Sequence, residues 1–414
     1  MMRPVPRRGP PGTGPATPGA ARSPGCFEPA FSERFADPPD NENRARKGGI
    51  DVDSRPLAPP QEDEEMNPAE RKTCLPGAAN LEFMRTVDRS LLHRWALSEV
   101  FLTDARKTGD EEYLAAAQLP PLHAYYTEHG SRLNAPDPML LLECCRQAET
   151  YGGHEYAGVS RTSKFLLRNW SMELPGLLTL PQEERPGELR ISVRTSNRRG
   201  TPGDVRRLSF GIDMKLAQRC LGFVRMDVGY IPAEVYDQVR LQGRGRPLVP
   251  FKDLPRQTSY VTPHLVGRSD PANVVLADAT VGSDNATATV RVPLDNRSMF
   301  DHGQDHVPGM VLMEAARQLC LLGVSDLWGA SVSRSTVAGF EFSFTRYAEL
   351  DSPTTVHIRK TEPYAHEDNL SLMLPDLRTF HIDFEQDGDV IASGQMHTTT
   401  ASTGTALLEG EECL

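Results

Sequence analysis

No apolar run in this 414-residue chain approaches the roughly 20 residues that a membrane helix requires, so no helical membrane anchor is expected. A secretory leader is missing too. The basic start, Met1 to Gly12, runs into Pro, Gly and Ala rather than into an apolar stretch. The seven cysteines are an odd number and contain no Cys-x-x-Cys pair. Neither a disulfide framework nor a zinc site is expected, and the compartment read from this is a reducing cytoplasm. Nothing in the chain asks for a metal or a cofactor. An excess of basic charge is also absent. The 45 Lys and Arg stand against 56 Asp and Glu, a net charge of −11, which argues against a nucleic-acid partner and favours solubility. Apolar residues are 38% and aromatics 7%, low for a core running the whole length, so part of the chain is expected to stay unfolded.

That part is the beginning. The first 75 or so residues are crowded with Pro, Gly, Arg and acidic residues, as in Pro10-Pro11-Gly12, Asp37 to Asp40 and Glu62 to Glu65. They cannot form an apolar stripe and are read as disordered. Met66 and Met84 are alternative starts nearer the folded part. The organisation expected is a disordered tail over 1–88, one unit over 89–262, a second over 263–402 and a flexible end over 403–414.

What the chain does contain is an internal repeat. Residues 139–147 read Met-Leu-Leu-Leu-Glu-Cys-Cys-Arg-Gln, and residues 310–318 read Met-Val-Leu-Met-Glu-Ala-Ala-Arg-Gln. Glu143, Arg146 and Gln147 thus recur as Glu314, Arg317 and Gln318 at an offset of 171 (314 − 143). Upstream, Val100 to Asp104 recurs as Val274 to Asp278 at an offset of 174 (278 − 104). Downstream, Phe165 to Leu174 recurs loosely as Phe342 to Leu350.

Each copy has one plan. A strand pair (98–119 and 272–293) leads through a loop with His, Pro and Asp to an apolar helix (138–151 and 308–324). Four further strands are predicted in each: 164–174, 189–196, 206–213 and 219–230, then 336–348, 354–361, 377–385 and 390–399. Asp387-Gly388-Asp389 reads as a hairpin turn. Pro232 to Gln242 reads as a short helix and Gly243 to Thr262 as a linker. Asp137-Pro138 and Val307-Pro308-Gly309 are helix starts, since Pro suits the first turn. Gly152-Gly153 and Gly323 are expected ends.

Residues 310–321 are apolar on nearly every face except at Glu314, Arg317 and Gln318, which describes a buried helix. Those three sit at i, i+3 and i+4 and share a face. Burying a carboxylate and a guanidinium is costly unless they are paired, and an apolar replacement is often no less stable. The repeated pair therefore either seals the interface between the halves or forms a polar active-site face there.

The string Phe300-Asp301-His302-Gly303-Gln304-Asp305-His306-Val307-Pro308-Gly309, continuing through Met310-Val311-Leu312-Met313-Glu314-Ala315-Ala316-Arg317-Gln318, resembles the signature of the A-factor biosynthesis family. Ser98 to Thr108, Asp137 to Gln147 and Tyr236 to Arg240 are similar to further motifs of that family, and the likeness spans about residues 90–400. It implies an α+β fold of two tandem hotdog units, each an antiparallel sheet wrapped around a central helix, joined as a pseudo-dimer. It implies an acyltransferase that moves a β-ketoacyl group from acyl carrier protein to dihydroxyacetone phosphate, toward butenolide and γ-butyrolactone signals. It also implies functional roles for Glu143, Glu314 and Arg317.

Such a transfer needs a base for the alcohol, N–H donors for the thioester oxygen and a cation for the phosphate. Glu314 is the expected base, with Glu143 as base or acceptor-positioning group. Arg317 is the phosphate fork and the helix start at Gly309 supplies donors. Arg146, Gln147, Gln318, His302 and His306 are further substrate-binding candidates. The histidines either act as in hotdog dehydratases, whose His-to-Glu spacing His302 and His306 do not keep, or hydrogen-bond their loop beside Asp301 and Asp305. His129 lies upstream of Glu143, but without the Gly-Pro-Gly context of those enzymes. His123 is read as surface or loop packing. Cys144, Cys145 and Cys320 are read as small core residues rather than nucleophiles. Arg198-Arg199 and Arg206-Arg207 form a solvated hairpin or a dock for an acidic carrier protein. Competing activities are a hotdog dehydratase or hydratase, a thioesterase, and a non-catalytic ligand-binding regulator.

Overall fold

Alternating apolar residues along the strands decide the architecture. In the computed structural model, which describes residues 80–128, 135–179, 187–201, 203–216, 218–361, 374 and 376–400, twelve strands form one sheet. In the first copy these are β1 (Leu102–Lys107), β2 (Glu112–Gln118), β3 (Lys164–Glu173), β4 (Glu188–Thr201), β5 (Asp204–Leu216) and β6 (Arg219–Ile231). The second copy supplies β7 (Leu276–Val281), β8 (Asn285–Val290), β9 (Ser335–Phe344), β10 (Thr354–Thr361), β11 (Arg378–Gln386) and β12 (Asp389–Thr400). The order is β1-β2-β4-β5-β6-β3-β9-β12-β11-β10-β8-β7, and every pairing is antiparallel. Read from either edge, the two halves repeat the same order of elements and meet at β3–β9, where Trp170 lies opposite Phe342.

Leu189, Ile191 and Val193 of β4, Phe210, Ile212 and Met214 of β5, and Phe380, Ile382 and Phe384 of β11 are all buried at a spacing of two. They put one face of the sheet against helices α1 (Pro138–Glu155) and α3 (Gly309–Trp328). The residues between them face outward. Asp387 and Gly388 both have positive φ (54° and 84°), the backbone of the two-residue hairpin turn that joins β11 to β12.

Both helices run past the predicted ends, to Glu155 and Trp328. The glycines expected to stop them lie inside, because they serve packing instead of termination. A side chain at Gly152 would collide with the Tyr113 ring, and one at Gly323 would press on Ile358 and Phe380 at 2.9 and 3.0 Å. Tyr156 and Gly329 occupy the ends, and Gly329 has the left-handed conformation (φ 63°) common there. The helix expected at 232–242 is α2 (Ala233–Arg244). It ties the linker to the second copy: Arg240 donates twice to Glu349 (2.7 and 2.8 Å), and Tyr236 donates to Asp305 (2.7 Å). Of the stretch read as a tail, residues 1–79 lie outside the described residues. Residues 80–88 run beside β1, where Val87 N–H donates to the Leu102 carbonyl (3.1 Å).

Candidate active site

The two helix glutamates sit in the second turn of their helices, fully buried, each beside the arginine at i+3, the glutamine at i+4 and one arginine from upstream in the chain. Glu143 accepts from Arg146 through Nε and Nη2 (2.8 and 2.9 Å), from Arg94 (2.5 Å) and from Gln147 (2.8 Å). Glu314 accepts twice from Arg268 (3.1 and 2.8 Å) and once each from Gln318 (2.5 Å) and Tyr125 Oη (2.9 Å). Arg317 stands 2.5 Å away as an ion pair. The i+4 glutamines lock each helix to the chain entering its first edge strand. Gln147 accepts from Phe101 and Leu102 N–H and donates to the Glu99 carbonyl. Gln318 accepts from Val275 N–H and donates to the Asn273 carbonyl.

Arg94 and Arg268 are missed by the sequence reading. A signal was available: they stand at an offset of 174 (268 − 94), the one that Asp104 and Asp278 already keep.

Burial raises a carboxyl's pKa, while a nearby guanidinium lowers it. Here the cations win in both copies. Burial pushes Glu143 up, but Arg146 and Arg94 hold it at about 2. Burial likewise pushes Glu314 up, and Arg268 with Arg317 brings it below the ordinary value. Both carboxylates are therefore ionised and weakly basic near neutral pH.

The helix starts differ. Asp137 caps α1, accepting from Met139 N–H (2.7 Å), and the same oxygen pairs with Arg317 (2.6 Å). Pro138 to Leu140 are buried behind it. At α3 the capping position is Pro308, which has no side chain to accept a hydrogen bond. Pro308, Gly309 and Met310 are all partly exposed. Gly309 leaves room there, since a methyl group would approach Leu167 to 2.8 Å. The arginines follow suit: the Arg317 side chain is 1% exposed and that of Arg146 20%.

The predicted residues thus divide between two centres. Glu314, Arg317 and Gln318 lie in a closed one with Arg268, Tyr125 and Asp137. Glu143, Arg146 and Gln147 lie in an open one reached by the loop before α3. Asp301 accepts from Trp95 and Ala96 N–H (2.5 and 2.8 Å), and the His302 ring stacks on Trp95 at 5.2 Å. The segment 94–95 so links Glu143 of one copy to His302 of the other. His302 also contacts Gln304 (2.9 Å), and His306 contacts Asp305 (2.6 Å) and the Tyr347 ring. These are the loop contacts that the second reading of the histidines expected. His123 packs its own loop, accepting from Tyr125 and Tyr126 N–H. His129 lies outside the described residues. Cys144, Cys145 and Cys320 are buried with thiols pushed up by burial, consistent with core residues. On the hairpin, Arg207 pairs with Asp227, Arg206 with Asp204 (3.2 Å), and Arg198 donates to the Ala157 carbonyl. Among the described residues no group of His, Cys, Asp and Glu could hold a metal ion, and no helix is long and apolar enough to cross a membrane.

A duplicated sheet-wrapped helix with polar centres between the copies defines a double hotdog protein. The chain belongs to the A-factor biosynthesis hotdog family, whose model matches residues 77–229 and again 252–402. A relative from Streptomyces virginiae named 2-oxo-3-(phosphooxy)propyl 3-oxoalkanoate synthase is 33% identical, covering 69% of this chain and 90% of its own. Proteins of the same name from Streptomyces coelicolor and Streptomyces griseus are 28% and 26% identical. They cover 64% and 76% of this chain, and 80% and 96% of their own lengths.

Proposed function

We propose that this chain is an acyltransferase that joins a 3-oxoacyl group to dihydroxyacetone phosphate, giving the 2-oxo-3-(phosphooxy)propyl 3-oxoalkanoate for which its relatives are named. The acyl donor is a thioester carried on acyl carrier protein. One observation supports this most: the uncapped, partly exposed start of α3 accompanies a pair of arginines held by a buried carboxylate.

The roles follow from that arrangement. The Val311 and Leu312 N–H groups already bond the Pro308 carbonyl, which leaves Gly309 and Met310 N–H for the oxygen of the thioester as it gains charge. The positive end of the helix adds to their effect. Arg146, the more exposed partner of Glu143, takes the phosphate, a dianion that a planar guanidinium binds through two parallel hydrogen bonds. Glu143 positions both guanidiniums. Glu314 and Arg317 act at one remove, holding the first helix start against the second helix. Gln147 and Gln318 fix helix to strand, and His302 shapes the entrance with Trp95.

Full-length protein mixed with a 3-oxoacyl carrier-protein thioester and dihydroxyacetone phosphate is expected to release thiol and form the phosphorylated ester, detected by mass. Arg146→Ala should raise KM for dihydroxyacetone phosphate on the order of 100-fold, the loss of a charge-assisted pair. Release of free 3-oxo acid alone, or an enoyl product, would replace this reading with a thioesterase or dehydratase. No turnover at all would favour a binding protein.

A further inference from the structure

Two histidines that the scheme above leaves unused stand beside the open centre. His93 ends a short helical turn in the left-handed conformation (φ 54°), which non-glycine residues adopt rarely. His154 lies in the last turn of α1. Their Nε2 atoms are 2.9 Å apart. His154 Nδ1 is 3.0 Å from the Val159 carbonyl oxygen, which only accepts, so this nitrogen carries the hydrogen. His154 Nε2 is then bare, and His93 Nε2 must donate to it. That leaves His93 neutral with its lone pair on Nδ1, a nitrogen that no described residue hydrogen-bonds.

The position follows from β3. The Phe165 ring meets both His93 (5.1 Å) and His154 (5.4 Å). Leu167, two residues along the same face and so about 7 Å away, lies under Gly309. His93 and the uncapped start of α3 therefore lie over the same face of β3, and His93 is within electrostatic reach of Arg146 and His302. The next residue, Arg94, grips Glu143, and the two after it are held by Asp301. Anchors from both copies thus hold the segment 93–96, whose first imidazole is otherwise free on one side.

We propose that His93 is the general base of this centre and that His154 is the positioning residue behind it. The inference rests on the acyl-transfer reading above. The acceptor's O–H gives its proton to His93 Nδ1 as its oxygen bonds to the thioester carbon. The carbon–sulfur bond then breaks, and the departing sulfur takes the proton back from Nδ1, leaving ester, thiol and neutral imidazole. The charge that His93 bears meanwhile is shared through Nε2–H with His154, whose other nitrogen is tied to the backbone.

The groups facing His93 make it responsive to substrate. Burial, then the neighbouring His154, Arg146, Lys164 and His302, hold it down to about 3. Burial also lowers His154, where Arg161 adds to the effect. A phosphate dianion at Arg146 offsets the charges of Arg146 and Lys164 and raises the basicity of His93 when the acceptor is in place.

The test uses the full chain, a 3-oxoacyl N-acetylcysteamine thioester and dihydroxyacetone phosphate. His93→Gln keeps an N–H toward His154 but has no base, and kcat should fall about 100- to 10,000-fold, with KM for the acceptor little changed. His154→Asn keeps the donor to Val159 but loses the acceptor facing His93, so kcat should fall and the acid limb of the pH–rate profile should move. His154→Gln restores an acceptor and should recover most of the rate. Full activity in His93→Gln, or a His154→Asn profile identical to wild type, overturns the proposal and leaves the transferase reading intact. A second measurement does not depend on turnover or on the variants folding. Inorganic phosphate added to the wild-type chain should tighten proton binding at His93 about tenfold by imidazole NMR. A silent His93 overturns the assignment. A responsive His93 in a chain that makes no ester supports the imidazole's place at the anion site and removes the acyl-transfer reading alone.

Discussion

In the first repeat Asp137 closes the helix start and reaches across to Arg317. In the second, the matching position, at the motif's own offset of 171 (308 − 137), is Pro308, which offers no side-chain acceptor. From that one exchange the two Glu-x-x-Arg-Gln motifs take different parts. Around Glu314 the side chains close over the carboxylate: two arginines, a tyrosine and a glutamine, with Asp137 behind Arg317. Around Glu143 the arginines are paired but partly open, and the facing helix start is bare. Duplication permits this division, because one copy can hold the halves in register while the other, in the proposed reading, offers its helix-start N–H groups and Arg146 to substrate. Buried ionic networks serve register better than raw stability, and the closed centre suits that role.

The comparison breaks most visibly at Arg317. Arg317→Ala leaves Asp137 and Glu314 short of a partner inside the protein and should cost about 3–5 kcal/mol, read as a large fall in the denaturation midpoint. Arg146→Ala should cost far less, because Arg146 pairs with Glu143 alone, not with two buried carboxylates, and its side chain reaches solvent. Equal losses in the two variants would mean that the centres are not different in kind.

A second asymmetry lies one turn further along. Glu149 is buried where the second copy has Cys320 (320 − 149 = 171), and its hydrogen bonds come from neutral Thr150 and Tyr230. Burial pushes it up to about 7 from 4.5. The folded chain so keeps this proton while the unfolded chain loses it. The stability it confers is complete below about pH 4.5 and falls away as pH rises to about 7, by roughly 1.4 kcal/mol per pH unit and on the order of 3 kcal/mol in all. Glu149→Gln should flatten that dependence and stabilise the protein at pH 8. An unchanged slope would show that Glu149 is solvated.

The smallest change is the most pointed. Pro308→Asp copies the first repeat's cap onto the second, and its carboxylate would occupy the N–H groups at the start of α3. Thermal stability should rise by about 1 kcal/mol, while ester formation drops sharply. A gain in stability with undiminished rate would rule out the α3 start as the oxyanion site.

Much of this molecule was legible beforehand. The repeat, the two central helices and most strand positions follow from periodicity, which depends only on which side of an element is dry. The glutamine and arginine of each motif were visible because i, i+3 and i+4 share a face. Gly152 and Gly323 misled because a glycine that makes room for Tyr113 or Phe380 looks, in sequence, like one that ends a helix. His93 and Arg94 escaped notice in a short turn with no periodicity of its own.

The order of residues was enough to settle that there are two copies, that each wraps a sheet around an apolar helix, and that each helix carries the same Glu, Arg and Gln on one face, since these are local patterns of side-chain type. Which centre is open was decided only in three dimensions. Solvent access and pKa depend on what arrives from the other copy, Asp137 at one helix and the Asp301–His302 loop at the other, and those partners are brought together by the β3–β9 seam and not by proximity along the chain.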